Sequence, residues 1–330
     1  MRGRTVESVV ILALSLLCVP LIATKASQAQ RLYRIGYLAV PSPAATLHLL
    51  EALHAGLREH GYVEGQNLVI EYRWVEGTSQ RFDELAGDLV RAKVELILAW
   101  GTPAAVAAKQ ATSTVPIIFL AVGDPVGSGI VASLARPGGN VTGVTNLSAE
   151  LSAKQLELLK EIVPGLTQIA VLRNPRNPVS APQLQWTELA AQSLGVRLQV
   201  VDVRDPSEFE AAFLSMTRER AGALIVLADT MFLSQRRQIA DLAVKHRLPA
   251  TFNWREYAEA GGLIAYGPRL ADQWRRVTEF ADKILKGVRP AELPVEQPMR
   301  FELVINLKTA KELGLTISPL LRFRADEVLE

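Results

Sequence analysis

The sequence predicts an α/β protein built from two lobes, each with a parallel sheet between helices. From residue 31 onward, short runs of β-branched apolar residues alternate with longer amphipathic segments, which is the pattern of βα units. The runs form two consecutive sets of about five, too many strands for one compact open sheet of ordinary size, and the series breaks after residue 146. A closed (β/α)₈ barrel is the alternative, but its ring of eight strands leaves about two runs over.

Each apolar run is predicted as a strand and each amphipathic segment as a helix. The predicted strands span 33–40, 68–75, 94–100, 115–122, 140–146, 167–174, 196–203, 221–229, 248–253 and 261–267. The predicted helices lie near 44–60, 80–92, 103–112, 149–163, 179–194, 206–220, 231–246 and 269–286. After a connector rich in proline, FELVINL predicts a further strand, and a short helix is predicted from Lys308.

The lobe boundaries follow from the break in the series of βα units. We predict a first lobe of residues 31–146 plus about 267–290 and a second lobe of residues 147–266 plus about 291–330. Two consecutive glycines, Gly138 and Gly139, give the backbone freedom to turn before the next strand. Residues 143–148 are therefore predicted to be a hinge strand between the lobes.

Residues 1–29 carry the features of a secretory signal peptide. Two arginines precede an apolar run, Val9–Ala23, that is short for a membrane-spanning helix, and Ser27 and Ala29 are small residues where a signal peptidase requires them. An anchor that stays uncleaved is the alternative. Cleavage removes Cys18, the only cysteine, which suits an oxidising compartment, and we predict a periplasmic location.

The charge balance and the missing motifs exclude several classes of protein. Without residues 1–29, which carry three basic residues and one acidic residue, 33 basic side chains face 33 acidic ones, a balance that argues against nucleic acid as a partner. The sequence has no H-E-x-x-H, no G-x-S-x-G and no P-loop. His48, His54 and His60 recur every six residues, which distributes them around a helix instead of on one metal-binding face. We predict no catalytic residue, no metal and no cofactor.

The glycine-rich stretch at 121–143 contains a G-x-G-x-x-A match at Gly127, Gly129 and Ala132. In a dinucleotide site this pattern follows a strand directly and lies near the start of a βαβ unit, whereas here three residues intervene and the unit is the fourth in its lobe. A chance match is the better interpretation. Asp124 lies just past the carboxyl end of a predicted strand, where open α/β sheets bind ligands, and is a candidate for the pocket; capping of a turn is the alternative.

Other predicted strands also end in polar or aromatic residues, which parallel pairing brings to one edge of a sheet. These candidates are Ser42, Trp100, Thr102, Asn174 and Asp229. Ser42 and Thr102 precede prolines, so each is also predicted as an N-cap, whose helix offers backbone N–H groups to a carboxylate. Asp229 and the aspartate of the glycine-rich stretch are the predicted partners of a ligand ammonium group.

Three aromatic residues, Trp254, Tyr257 and Tyr266, flank the last predicted strand of the second lobe. A flat ring at this place can stack on a ligand or fill the core. Because only 6% of the residues are aromatic, we include all three as candidate ligand contacts.

Four long motifs occur in order along the chain: DPVGSGIVASLARPGGNVTG, WREYAEAGGLIAYGP, DKILKGVRPAELPVEQPMRFELVINLKTAKELGL and RADEVLE. Together they resemble the ABC transporter substrate-binding family often labelled tryptophan/tyrosine transport system substrate-binding protein. The similarity runs from about residue 32 to the end. It implies a type I periplasmic-binding-protein fold, in which two Rossmann-like lobes with parallel sheets are joined by hinge strands and a small-molecule ligand binds in the cleft unaltered.

The resemblance also implies the site and the partners. It places the cleft wall at Ser42, Thr102, Asp124, Asn174, Asp229 and Trp254 to Tyr257. ABC permease and ATPase subunits at the membrane are the implied partners, so we expect the chain to capture a small solute, such as an amino acid, for import. An extracytoplasmic sensor for a membrane signalling protein has the same fold and stays open, as does a secreted α/β enzyme, although the sequence offers no nucleophile and base for one.

Overall fold

The computed structural model describes residues 31–40, 46–75 and 81–330. Within these residues the strands are β1 (Tyr33–Ala39), β2 (Leu68–Trp74), β3 (Leu96–Trp100), β4 (Ile117–Val122), β5 (Val141–Thr145), β6 (Gln168–Arg173), β7 (Arg197–Asp202), β8 (Leu224–Val226), β9 (Ala250–Phe252), β10 (Ile264–Pro268), β11 (Phe301–Asn306) and β12 (Glu327–Leu329). The predicted signal peptide and Ser42 lie outside them.

The helices alternate with the strands. They are α1 (Leu47–Glu59), α2 (Phe82–Arg91), α3 (Thr102–Ala111), α4 (Ser148–Ile162), α5 (Ser180–Leu194), α6 (Phe209–Arg218), α7 (Thr230–Ser234), α8 (Arg236–Lys245), α9 (Arg255–Glu259), α10 (Leu270–Leu285), α11 (Leu307–Glu312) and α12 (Pro319–Arg324). No helix in the described part of the chain is long and apolar enough to cross a membrane.

The first lobe is built on a five-stranded sheet in the order β2-β1-β3-β4-β5, and every pair of neighbours is parallel. All residues of β3 and β4 are buried. Continuous apolar runs such as LILAW and IIFLAV are typical of parallel strands covered by helices on both faces.

The second lobe repeats this topology and extends it. Its sheet has the order β12-β11-β10-β9-β8-β6-β7, so β7, β6, β8, β9 and β10 take the places that the five strands take in the first lobe. The strand β11 pairs antiparallel with β10, and β12 is parallel to β11. Because the strands form two separate open sheets, the closed (β/α)₈ barrel, the alternative prediction, is excluded.

Three short segments cross between the lobes. The chain leaves β5 of the first sheet and enters α4 through residues 146–147, and it returns between β10 and α10, which packs against α1 and β4 of the first lobe. It then runs beside β5 before it enters β11. There the backbone N–H of Thr145 donates to the carbonyl of Glu296 at 2.9 Å, and the backbone N–H of Glu296 donates to the carbonyl of Gly143 at 3.0 Å. The lobe boundaries set out above stay a prediction.

Candidate functional site

The two lobes face each other across a cleft at the carboxyl ends of their parallel strands, the edge where open α/β sheets bind ligands. Residues that follow β3, β4, β6, β8 and β9 line the cleft together with the first crossing segment. They are Gly101, Thr102, Ala121, Gly123, Asn146, Ser148, Asn177, Val179, Ala228, Asp229, Thr230 and Trp254. The space between these residues amounts to about 210 Å³, but the facing side chains leave room for roughly one water molecule. A larger ligand therefore enters only when the lobes separate.

Two glycines of the first lobe permit this close approach. A methyl group on Gly123 would overlap Ser148 Oγ and Val179 Cγ2, and a Cβ on Gly101 would lie 2.8 Å from Thr230 Cγ2. Gly101 also has a φ of +85°, which favours glycine. Because Val179 and Thr230 belong to the second lobe, the lobes meet over glycine backbone, and any larger side chain would hold them apart.

The first crossing segment is held by its own polar side chains. Asn146 Nδ2 donates to the carbonyl of Ala121 at 3.1 Å, and Thr145 Oγ1 donates to that of Val122 at 2.7 Å. Ala121 and Leu147 have φ values of +52° and +53°, a region that costs a non-glycine residue about 1–3 kcal/mol. These hydrogen bonds hold the strained backbone in place where it lines the cleft.

Asp229 is a buried carboxylate in the wall of the cleft. Its Oδ1 accepts from the backbone N–H groups of Met231 and Phe232 at 2.8 and 3.1 Å, so the residue caps α7. Its Oδ2 accepts from the amides of Asn177 and Asn174 at 2.9 and 3.2 Å. Burial raises the pKa of Asp229, and the four hydrogen bonds oppose that shift.

The hydrogen bonds of Asp229 within the described part of the chain come from these four neutral donors, and none of them is an ion pair with a cationic side chain. Four neutral donors stabilise the carboxylate without cancelling its charge. A cationic group that enters the cleft would favour the charged form of Asp229, because the attraction between the two charges is screened less there than in water.

The amides around Asp229 are fixed by further hydrogen bonds. Asn174 Oδ1 accepts from the N–H of Arg176 at 3.0 Å, and Asn177 Oδ1 accepts from that of Val179 at 3.3 Å. Gln183 holds the neighbouring loop, since its Oε1 accepts from the N–H of Ala228 at 2.7 Å. Asn174 and Asn177 therefore each have one orientation, with the NH₂ group directed at the carboxylate.

Two polar atoms of the cleft wall are buried without a partner: Ser148 Oγ and Trp254 Nε1. Ser148 is 1% exposed and Trp254 is 3% exposed. Buried polar groups are almost always hydrogen-bonded in folded proteins, so these two atoms mark places where a bound molecule can supply the partner.

His48 and Glu256 join the lobes at a second place. His48 lies on α1 of the first lobe and Glu256 on α9 of the second, and the distance from Nε2 to Oε1 is 3.1 Å. The hydrogen bond to Glu256 raises the pKa of His48; Glu259 adds to the shift, while burial and Arg236 oppose it. The pair exists only while the lobes are together.

We predict that closure, and with it ligand affinity, weakens as the pH rises through the raised pKa of His48. The pKa is higher in the closed form than in an open form without the contact, so the added stability is complete below the ordinary histidine pKa of about 6.5 and is lost above the raised value. Since His48 is half-exposed, the change in affinity is at most about fivefold. Calorimetric titrations between pH 5.5 and 9 measure it.

The variant His48→Gln should flatten this pH dependence, whereas His54→Gln is the matched control. His54 lies on the same helix but pairs with Tyr72 and Glu64 inside the first lobe. Equal flattening by both variants, or by neither, contradicts the assignment to the contact between the lobes.

The structure brings four of the predicted site residues together. Thr102, Asp229 and Trp254 line the cleft, and Asn174 contacts Asp229. Thr102 is the first residue of α3, with Gly101 as the N-cap, so its predicted capping role is wrong. Capping by Ser42 is untested, because that residue lies outside the described part of the chain.

The other predicted residues lie elsewhere. Trp100 is fully buried in the core, with its ring 4.5 Å from that of Trp274, and Tyr257 stacks on Phe252 at 4.4 Å. Tyr266 packs 6.1 Å from Phe301. Their roles in ligand binding stay predictions, and the geometry favours packing.

Asp124 takes part in a turn next to the cleft. Its Oδ1 accepts from the N–H of Gly127 at 2.7 Å, and the residues that match the dinucleotide pattern form turns instead of opening a helix. This arrangement agrees with the turn-capping interpretation and with a chance match of the motif.

Nine residues of the cleft wall were not among the predicted site residues: Gly101, Ala121, Gly123, Asn146, Ser148, Asn177, Val179, Ala228 and Thr230. Asn177 follows the same strand as Asn174, so the strand-end argument could have included it. Gly123, Ser148 and Val179 depend on how closely the lobes meet. Among the described residues, no three His, Cys, Asp or Glu side chains group as metal ligands.

The sequence of this chain is similar to those of known proteins. The sequence model of a family described as "ABC transporter substrate binding protein" matches residues 37–329. A curated relative, the tyrosine-binding protein of Clostridioides difficile (strain R20291), is 29% identical over 260 residues, which cover 78% of this chain and 74% of the relative.

Solved structures share the fold. A conserved domain protein from Vibrio cholerae superposes with a TM-score of 0.85 at 27% identity, and an ABC domain from Streptococcus pneumonia in complex with L-Trp does so with 0.83 at 28%. Each match covers 90% of this chain and 100% of the other. A leucine-binding protein from Thermotoga maritima, at 14% identity and a TM-score of 0.53, covers 71% of this chain and 69% of its own, and shows the fold alone. The predicted two-lobed, periplasmic-binding-protein type I fold is confirmed.

Proposed function

The chain belongs to the family of ABC transporter substrate-binding proteins, and we propose on this premise that it captures an amino acid in the cleft and delivers it to a membrane permease for import. ATPase subunits on the cytoplasmic side would drive the transport. The ligand would leave the cleft chemically unchanged, since the chain's role is to bind and release.

The proposal that the ligand is an amino acid rests on Asp229. This carboxylate is buried in the cleft and has no cationic partner among the described residues, which suits the ammonium group of an amino acid. Thr102 and the N-terminus of α3 lie in the opposite wall of the cleft.

Two relatives support an aromatic amino acid. The relative from Clostridioides difficile is described as tyrosine-binding, and the structure from Streptococcus pneumonia contains L-Trp. Trp254 in the cleft wall offers a flat surface for such a side chain. We therefore propose L-tryptophan and L-tyrosine as the first ligands to test.

The proposed function requires export. The predicted signal peptide at residues 1–29 supports a periplasmic location, and substrate-binding proteins of this family act outside the cytoplasm. Amino-terminal sequencing of the mature protein from the cell envelope tests this part, with residue 30 expected as the first.

The identity of the ligand is tested by titrating the protein with L-tryptophan and L-tyrosine after it has been unfolded and refolded. Refolding removes molecules that co-purify. We expect a dissociation constant near or below about 1 μM for at least one of the two, which corresponds to roughly 8 kcal/mol. A rise in melting temperature with ligand concentration should accompany binding. Recovery of a chemically altered ligand, or no response to any amino acid, would contradict the proposal.

A further inference from the structure

We propose that Ser148 and Trp254 form a carboxylate subsite in the cleft, and that together with Asp229 they favour zwitterionic α-amino acids over ligands that lack one of the two charged groups. The inference rests on the proposed function. It places both the carboxylate and the ammonium group of the ligand against the second lobe, to which Ser148, Trp254 and Asp229 belong, instead of placing the carboxylate at the N-terminus of α3.

Ser148 is the first residue of α4, a helix of 15 residues. The N-cap residue, Leu147, has a left-handed φ of +53° and a side chain that cannot accept from the helix N–H groups, and Asn146 Oδ1 accepts from the N–H of Ser148 at 3.0 Å. Ser148 Oγ is buried, has no partner and faces Gly123 across the cleft. The hydroxyl and the positive end of the helix dipole therefore act at the same place, and both favour a negatively charged acceptor.

Trp254 adds a second donor. Its Nε1–H is buried without a partner, and an indole can donate a hydrogen bond but cannot accept one. The group that binds to this N–H must therefore be a hydrogen-bond acceptor. A carboxylate supplies two oxygens, one for Ser148 and one for Trp254, whereas an ammonium group supplies only donors.

The carboxylate of Asp229 explains why an acceptor on a zwitterion is favoured. Asp229 lines the same cleft as Ser148 and Trp254, and its carboxylate accepts only from neutral donors, so it can pair with an ammonium group of the ligand. The subsite therefore favours a carboxylate whose charge the ligand itself balances with an ammonium group.

The test compares L-tryptophan with tryptamine, which lacks the carboxylate, in calorimetric titrations of Ser148→Ala and Trp254→Phe. Each variant removes one donor and keeps most of the packing. We expect each to weaken L-tryptophan binding about tenfold, which is about 1.4 kcal/mol, and to weaken tryptamine binding by less. Ser152→Ala is the matched control, because Ser152 is buried one turn further along α4 and its hydroxyl donates to the carbonyl of Ser148.

The outcomes separate this inference from the proposed function. If the unmodified protein binds L-tryptophan or L-tyrosine but both variants bind it equally well, the subsite is wrong and the proposed function stands. Equal losses for L-tryptophan and tryptamine also overturn the subsite, because they show a general loss of packing. If the unmodified protein binds no amino acid, the proposed function fails and the subsite with it.

Discussion

Replacing Gly123 with alanine is expected to weaken ligand binding by about 5-fold to 150-fold. The added methyl group overlaps Ser148 Oγ and Val179 Cγ2 when the lobes are together, and overpacking of this kind costs roughly 1–3 kcal/mol. Gly123 has no left-handed backbone conformation, so alanine fits the separated lobes without strain. The cost therefore falls on the closed form alone, and affinity drops by the same factor.

Small-angle scattering with and without L-tryptophan measures the effect on closure. The unmodified protein should become more compact with ligand, and Gly123→Ala should change less. The additional substitution Val179→Ala removes one of the two overlapping groups and should recover part of the affinity. Gly87→Ala, on α2 of the first lobe, is the control, since its Cβ meets only the flexible end of Arg91. Full compaction of Gly123→Ala with unchanged affinity would show that the lobes do not meet at this glycine.

The order of strands and helices could be predicted because each element carries its own signal. The ten predicted strands of the βα series all appear, with ends that differ by at most a few residues, since apolar runs and amphipathic segments depend on local sequence. The first six residues of FELVINL form β11, and the last, Leu307, begins the next helix, one residue before the predicted Lys308.

The differences between the predicted and the observed elements arise from tertiary contacts and from the shortness of some elements. The predicted helix 231–246 is two helices, α7 and α8, which meet at Gln235, and the first is capped by Asp229. The short elements α9, α12 and β12 were not predicted, because segments of three to six residues are too short to show a period. The strand β12 forms only by pairing with β11.

The candidate site could be predicted only in part. The rule that ligands bind at strand ends led to Thr102, Asn174 and Asp229. It also led to Trp100, whose ring is instead covered by Trp274, a residue distant in sequence on α10. The contacts of Gly123 with Ser148 and Val179 arise where the two lobes meet. No local sequence pattern predicts which residues of the two lobes come into contact.

Replacing Asp229 with asparagine is expected to weaken binding of an amino acid at least tenfold, about 1.4 kcal/mol, because the ligand ammonium group loses its buried negative partner. Binding of indole-3-propionate, which lacks that group, should not weaken. The variant should also melt a few degrees lower. The new side-chain NH₂ group would face the NH₂ groups of Asn174 and Asn177, which their own hydrogen bonds hold in place, and a hydrogen bond to a charged group contributes about 1.5–3 kcal/mol.

Asp124→Asn is the decisive comparison, because Asp124 is the other carboxylate that the sequence suggested as an ammonium partner. Its Oδ1 accepts from Gly127, and the residue does not line the described cleft. We expect this variant to bind L-tryptophan within about twofold of the unmodified protein, since a charge at the rim is screened by water. If Asp124→Asn loses the affinity and Asp229→Asn keeps it, the ammonium group lies at the glycine-rich turn. The buried carboxylate would then serve only to cap α7 and fix the loop around it.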